Sequence, residues 1–335
     1  MNSVNLCARI AASVLLLASL DATAATVNGM YEATVPLPDR SENGQALAFQ
    51  DAMREVLVRV TGQRDAGTQP ALEPLINDAR RYVQQFRIVG NNQFFAGFDG
   101  AKVERAVIAA GQPFWGHQRP AILVWLAVDD GRARTLIDAQ SNSELKQAIE
   151  RTAELRGLPI RWPSPGGRTS FADVWNGSAE SLRGTAGDYG ADAVLVGRAR
   201  SSSASNAQIH WTVLYGAESN DWLGTAAEGV HGATDQLARV FAAGTDAVAM
   251  DVTITVSGIG DLAAYARVTD YLESFSRISG LAVEQLAGDT VVYRAHVRGD
   301  VPQLARAIEL GNRLQPQTPG ADPALTGALS FRYRP

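Results

Sequence analysis

The 335 residues carry 30 lysines and arginines against 35 aspartates and glutamates, a formal net charge of −5, and 46% of them are apolar. That is the balance of a packed globular protein, and with no basic stripe interleaved with aromatics it argues against nucleic acid as a partner. The single cysteine, Cys7, rules out a disulfide within the chain.

In chain order, residues 1–24 place Arg9 ahead of an apolar run over 10–20, followed by Ala22-Thr23-Ala24. A charged start, an apolar segment too short to span a bilayer and small residues at the end form the pattern of a secretory signal peptide cut near Ala24. Cys7 precedes the apolar run, whereas an acylated lipoprotein cysteine follows it, so the expected product is a cysteine-free protein without a lipid anchor. The longest later apolar run, residues 121–128, has the length of a strand and not of a membrane helix.

Residues 30–37 read as a strand ending at Pro36 and Pro38. Ala46, Phe49, Met53, Val56, Leu57 and Val60 recur at steps of three and four, the stripe of an amphipathic helix that Gly62 stops. Residues 82–89 and 93–98 form a hairpin through Gly90-Asn91-Asn92, and Val103, Val107 and Ala110 line a short helix closed by Gly111. The first unit, 25–118, is thus α+β.

The second unit, 119–250, opens on 121–128, a run apolar on both faces as in a covered sheet. Ser141 and Glu144 have capping-box spacing, and Leu145, Ala148, Ile149, Thr152 and Leu155 are the expected buried face before Gly157 and Pro159 end the helix. A strand over 158–162, a Pro/Gly loop over 163–168, a helix over 178–189 and a strand over 193–196 follow. Strands over 208–215 and 221–228 and a helix over about 233–249 complete a mixed sheet covered by helices.

The third unit, 251–335, reads as strand 251–256, helix 262–275, strand 281–286, a turn at Ala287-Gly288-Asp289, strand 290–297, helix 301–312, a Pro/Gly-rich loop over 315–324 and strand 328–333. Its order, βαββαβ, is that of a split-βαβ sandwich. The expected fold is therefore three small α/β and α+β units.

Each candidate site has a plainer role beside it. Gly258-Ile259-Gly260-Asp261-Leu262-Ala263 matches G-x-G-x-x-A between a strand and a helix, so Gly258 and Gly260 are the candidate dinucleotide contacts. Against that reading, Asp261 would oppose a pyrophosphate, and the next strand returns through a hairpin instead of a helical crossover. Asp129 and Asp130 lie at the C-terminal end of the first strand of the second unit, where α/β folds place ligands, and are the candidate catalytic carboxylates. Asp-Asp-Gly-Arg is also a common turn sequence. His117, His210, His231 and His296 lack metal-binding spacing, and no cofactor or metal is expected. Trp211, Tyr215 and Trp222 are candidates for an aromatic cluster, either packing or a partner surface.

Three stretches carry a resemblance: Tyr31-Glu32-Ala33-Thr34-Val35 running into the helix that ends at Thr61-Gly62; Phe114-Trp115-Gly116 with Arg119-Pro120 and Leu123-Val124-Trp125-Leu126-Ala127; and Tyr189-Gly190-Ala191-Asp192-Ala193-Val194-Leu195-Val196-Gly197. In these the chain resembles the bacterial domain-of-unknown-function family 2066, exported envelope proteins of Gram-negative bacteria. The second unit looks, at fold level, like the N-terminal α/β domains of periplasmic assembly proteins such as TolB. The resemblance implies a periplasmic location and brings no catalytic residue with it. The leading expectation is a soluble, non-catalytic accessory or scaffold that binds an envelope protein or peptidoglycan. The alternatives are an envelope hydrolase using Asp129 or Asp130, and a small-ligand binding module between the second and third units.

Overall fold

The computed structural model describes residues 25–177, 179–203, 207–243, 249–310, 313–317 and 328–334; the expected leader and residues 318–324 of the expected loop lie outside them. The described chain is mixed α/β, with main sheets of three, six and five strands.

The N-terminal part runs β1 (Ala25–Thr26), β2 (Glu32–Pro36), α1 (Glu42–Thr61), α2 (Glu73–Asn77), β3 (Val83–Val89), β4 (Gln93–Phe98), α3 (Gly100–Ala109) and β5 (Gln118–Arg119). Its sheet is antiparallel in the order β2-β4-β3, while β1 pairs with β5. Helix α1 starts where the Ser41 hydroxyl accepts the Gly44 N–H at 3.0 Å. Its stripe of Ala48, Phe49, Ala52, Met53, Val56, Leu57 and Val60 is buried against the sheet. Each large side chain in that stripe contributes roughly 1.5–3 kcal/mol by leaving water. Gly62 closes the helix at φ 70, and a Cβ there would meet Ala238 Cβ at 2.8 Å and Trp115 Cε3 at 2.9 Å. Glycine is thus needed both for the left-handed turn and for the close approach of those two side chains.

The central part runs β6 (Ile122–Asp129), β7 (Arg134–Ile137), α4 (Glu144–Arg156), β8 (Ile160–Arg161), α5 (Phe171–Asn176), α6 (Ala179–Gly184), β9 (Ala193–Ala199), β10 (Ile209–Tyr215), β11 (Glu218–Gly224) and α7 (Ala226–Phe241). The sheet order is β11-β10-β9-β6-β7, with β8 also paired to β6. Strand β6 is parallel to β8 and β9, and the other pairings are antiparallel. The strand is buried on both faces, one beneath α4 and α7 and the other beneath α5 and α6.

Several boundaries differ from those read in the sequence. The cap of α4 is Ser143, whose hydroxyl accepts the Lys146 N–H at 3.1 Å, while Ser141 is engaged by the Asp138 carboxylate. Leu155 is exposed, and Arg156 takes the last place on the buried stripe. The helix expected over 178–189 is divided among α6 and a 3-10 turn at Gly187–Tyr189, and α5, with its Ser170–Asp173 capping box, precedes them. Strand β11 begins directly after the Gly216 turn, and Thr225 and Glu228 are the capping box of α7. That helix therefore starts seven residues earlier than its apolar stripe suggested, counting from Ala226 to Ala233. Helix α7 approaches β10 and β11 closely because a Cβ on Gly229 or Gly232 would run into the rings of Trp211 and Trp222.

The C-terminal part runs β12 (Ala249–Ser257), α8 (Leu262–Glu273), β13 (Ile278–Ala287), β14 (Thr290–Arg298), α9 (Val301–Leu310), β15 (Leu314–Pro316) and β16 (Ala328–Tyr333). The order β13-β14-β12-β16-β15, with β12 parallel to β16, is the expected βαββαβ sandwich extended by one edge strand. Strand β15 occupies the start of the segment expected as a loop. The Val252, Ile254, Val256, Val291, Tyr293 and Ala295 side chains form the face covered by α8 and α9. No helix among the described residues is long and apolar enough to cross a membrane.

Candidate functional site

The residues singled out in the sequence lie in separate places. Asp129 and Asp130 close the β6–β7 hairpin. Asp129 accepts from the Gly131 N–H at 3.1 Å and from Arg134 Nε at 3.1 Å, and Asp130 accepts from the Arg132 and Ala133 N–H groups, both at 2.9 Å. Those backbone donors hold the exposed Asp130 carboxyl below its ordinary pKa, the direction opposite to that of a proton donor. Gly258 turns at φ 83 and Gly260 is exposed, while Asp261 caps α8 by accepting the Ala264 N–H at 2.6 Å. Strand β13 then returns antiparallel to β14. Trp211 and Trp222 are direct cross-strand partners, but Trp211 is fully buried with its indole N–H on the Thr225 carbonyl, and Tyr215 is buried too. Only Trp222, half-buried, keeps an edge near the surface. No group of three His, Cys, Asp or Glu among the described residues could hold a metal ion.

The structure instead brings together arginines where the three main sheets meet. Arg119, just before β6, is 1% exposed, and its guanidinium ends on five backbone carbonyls. Nε donates to Gly116 O at 3.0 Å; Nη1 donates to Arg156 O at 2.8 Å and Gly157 O at 3.0 Å; Nη2 donates to Trp115 O at 2.8 Å and to Arg59 O. An arginine has five N–H donors, so each finds an acceptor. Three of those acceptors lie at the C-terminal ends of α1 and α4, where the helix dipoles are negative and favour a cation. Burial, then the charges of Arg59 and Arg156, push the Arg119 pKa well below the ordinary arginine value.

Arg59 and Arg156 extend the junction. Arg59 Nη1 donates to Gly29 O at 2.8 Å and Glu32 O at 2.7 Å, tying α1 to the start of its sheet. Arg156 Nη2 donates to Gly62 O at 2.7 Å and to Asp235 Oδ1 at 2.6 Å, linking α4, the end of α1 and α7. Its Nη1 lies 2.8 Å from His231 Nδ1. A guanidinium only donates, so His231 accepts there as a neutral imidazole. Burial, Arg156 and Arg64 lower the His231 pKa to about 4.

Beside this junction opens a cleft of about 570 Å³, walled by the end of α1, the C-terminal half of α7, the segment before β13 and Gln303 of α9. That volume suits a small molecule. Three guanidiniums line it: Arg64, Arg239 and Arg277. Its two carboxylates already have partners, Asp235 on Arg156 and Asp65 on Gln69 Nε2 at 3.0 Å. Arg277 is 3% exposed, yet its Nε is buried without a hydrogen-bond partner, and no acceptor among the described residues meets the rest of its guanidinium. Burial lowers its pKa, an effect that Asp300 partly opposes.

The walls are held by contacts between the sheets. Phe114 and Ala243 exchange backbone hydrogen bonds at 3.3 and 2.9 Å, Gly116 N donates to the Ser276 hydroxyl at 2.8 Å, and Phe241 stacks on Phe275 with centroids 5.9 Å apart. Sequence reasoning misses these arginines because charge ordinarily marks solvent. The available signal is position: Arg156 follows Leu145, Ile149 and Thr152 at steps of four, three and four, on the apolar stripe of α4.

Residues 24–116 match the model of a family described as a domain of unknown function (DUF8605). This corrects the resemblance to family 2066, since the matched family is a different one. Neither a curated protein nor a solved structure matches the chain.

Proposed function

We propose that the protein is a non-catalytic accessory of the periplasm that binds another envelope component, and that the junction cleft is where binding occurs. The observation that carries this reading is the cleft itself, which presents guanidinium and amide donors from segments belonging to all three main sheets. Groups of this kind hold and orient a ligand by hydrogen bonding. The export pattern in residues 1–24 supports the compartment. The hydrolase reading draws less support, because the Asp129 and Asp130 carboxylates are both spent on the turn that they close. Photo-crosslinking in living cells from Gln69 or Gln303, both on the cleft wall, tests the proposal. A reproducible protein or glycan adduct from these positions, absent from the exposed Leu286, which does not line the cleft, supports it. Adducts no different from those at Leu286 overturn it.

A further inference from the structure

Removing an arginine side chain from water without a partner is costly, and buried charges in folded proteins are ordinarily paired. At the same junction Arg119 meets that requirement in full, with five carbonyls around five donors. Arg277 does not: it is 3% exposed, lines a cleft and has no hydrogen-bond acceptor among the described residues, Asp300 acting on it through charge alone. The same cleft adds Arg64 and Arg239, both exposed, while its two carboxylates are committed elsewhere. Arg239 uses Nε on the Asp235 carbonyl at 3.3 Å, with no acceptor among the described residues on its terminal nitrogens.

We propose that Arg277, with Arg64 and Arg239, forms an oxyanion subsite in the junction cleft, which takes its ligand through a phosphate or carboxylate group. The planar fork of Arg277 matches the two oxygens of such a group, and burial removes the water that would otherwise compete. The exposed Arg64 and Arg239 supply positive potential at the mouth and raise the local concentration of anions. This rests on the cleft being the binding place, and it names the ligand chemistry that the functional reading leaves open.

The test is thermal denaturation of the full mature chain in sodium phosphate, sodium acetate and sodium chloride at matched ionic strength. Phosphate or acetate should raise the melting temperature along a saturating curve, by about 3 °C at tenfold excess over the dissociation constant. Saturation by phosphate alone assigns a phosphate ligand, and saturation by acetate a carboxylate. Arg277→Met should lose the saturating component and keep only the shallow, linear rise that phosphate gives any protein. Calorimetric titration of Arg64→Gln and Arg239→Gln, which change exposed residues only, should show several-fold weaker anion binding and keeps the test open should Arg277→Met fail to fold. A curve that never saturates, or one unchanged in all three variants, overturns the subsite. An envelope adduct from the cleft wall without anion binding removes this inference and leaves the functional reading; anion binding without an adduct does the reverse.

Discussion

Two buried guanidiniums in the same junction have opposite surroundings. Arg119 is closed in by the carbonyl ends of two helices and the Trp115 and Gly116 carbonyls, with the Trp115 ring 4.2 Å from its carbon. Arg277 is 3% exposed, yet it lines a cleft and has no hydrogen-bond acceptor among the described residues. A saturated cation holds the sheets together; an unsaturated one costs stability in the free protein and returns it when an anion arrives. The difference separates a structural centre from a binding site even though both are made of arginine.

The largest expected effect breaks the structural member. Arg119→Met leaves five carbonyls from three chain segments without donors, and should cost about 3–5 kcal/mol in urea denaturation. Arg119→Lys should recover little, because one ammonium cannot span acceptors that a planar fork reaches together. Arg156→Met should cost about 2 kcal/mol, since the Asp235 carboxylate it abandons is 40% exposed and can rehydrate. On the cleft side the sign reverses: Arg277→Met should gain about 1 kcal/mol in anion-free buffer.

A smaller effect is titratable. His231 binds its proton at about 4 in the folded protein against 6.5 when unperturbed, so between those values the unfolded chain holds more protons. The contribution of neutral His231 is complete above about pH 6.5 and is lost as the pH falls toward 4. Allowing for its partial exposure, the loss should be about 1 kcal/mol, seen as a fall in the urea midpoint that His231→Gln flattens. The smallest effect belongs to the β6–β7 turn. Asp130→Asn keeps an acceptor for the Arg132 and Ala133 N–H groups and should leave the urea midpoint indistinguishable from wild type.

The sequence makes the architecture legible wherever periodicity and caps agree. The stripe of α1 follows from apolar residues at a period of 3.6, the run of β6 from a strand-length segment apolar on both faces, and the βαββαβ order of the C-terminal part from the succession of such helix and strand patterns. Boundaries are missed where two local signals compete, as at Ser141 and Ser143, where both hydroxyls could cap and the Asp138 carboxylate engages the first. The start of α7 is hidden because Thr225 and Glu228 sit beside a strand of similar polarity. The junction is illegible for a deeper reason. Arg59, Arg119 and Arg156 are separated by dozens of residues, and each donates to backbone carbonyls, which carry no residue identity. Arg277 is plainer still in the sequence, since nothing local distinguishes a guanidinium without a hydrogen-bond acceptor among the described residues.

The most direct test sets the two arginines side by side: urea denaturation of wild type, Arg119→Met and Arg277→Met in chloride buffer at neutral pH. The midpoint should fall by a large margin in Arg119→Met and rise in Arg277→Met. A fall of similar size in both would contradict the distinction, and with it the assignment of Arg277 to a ligand.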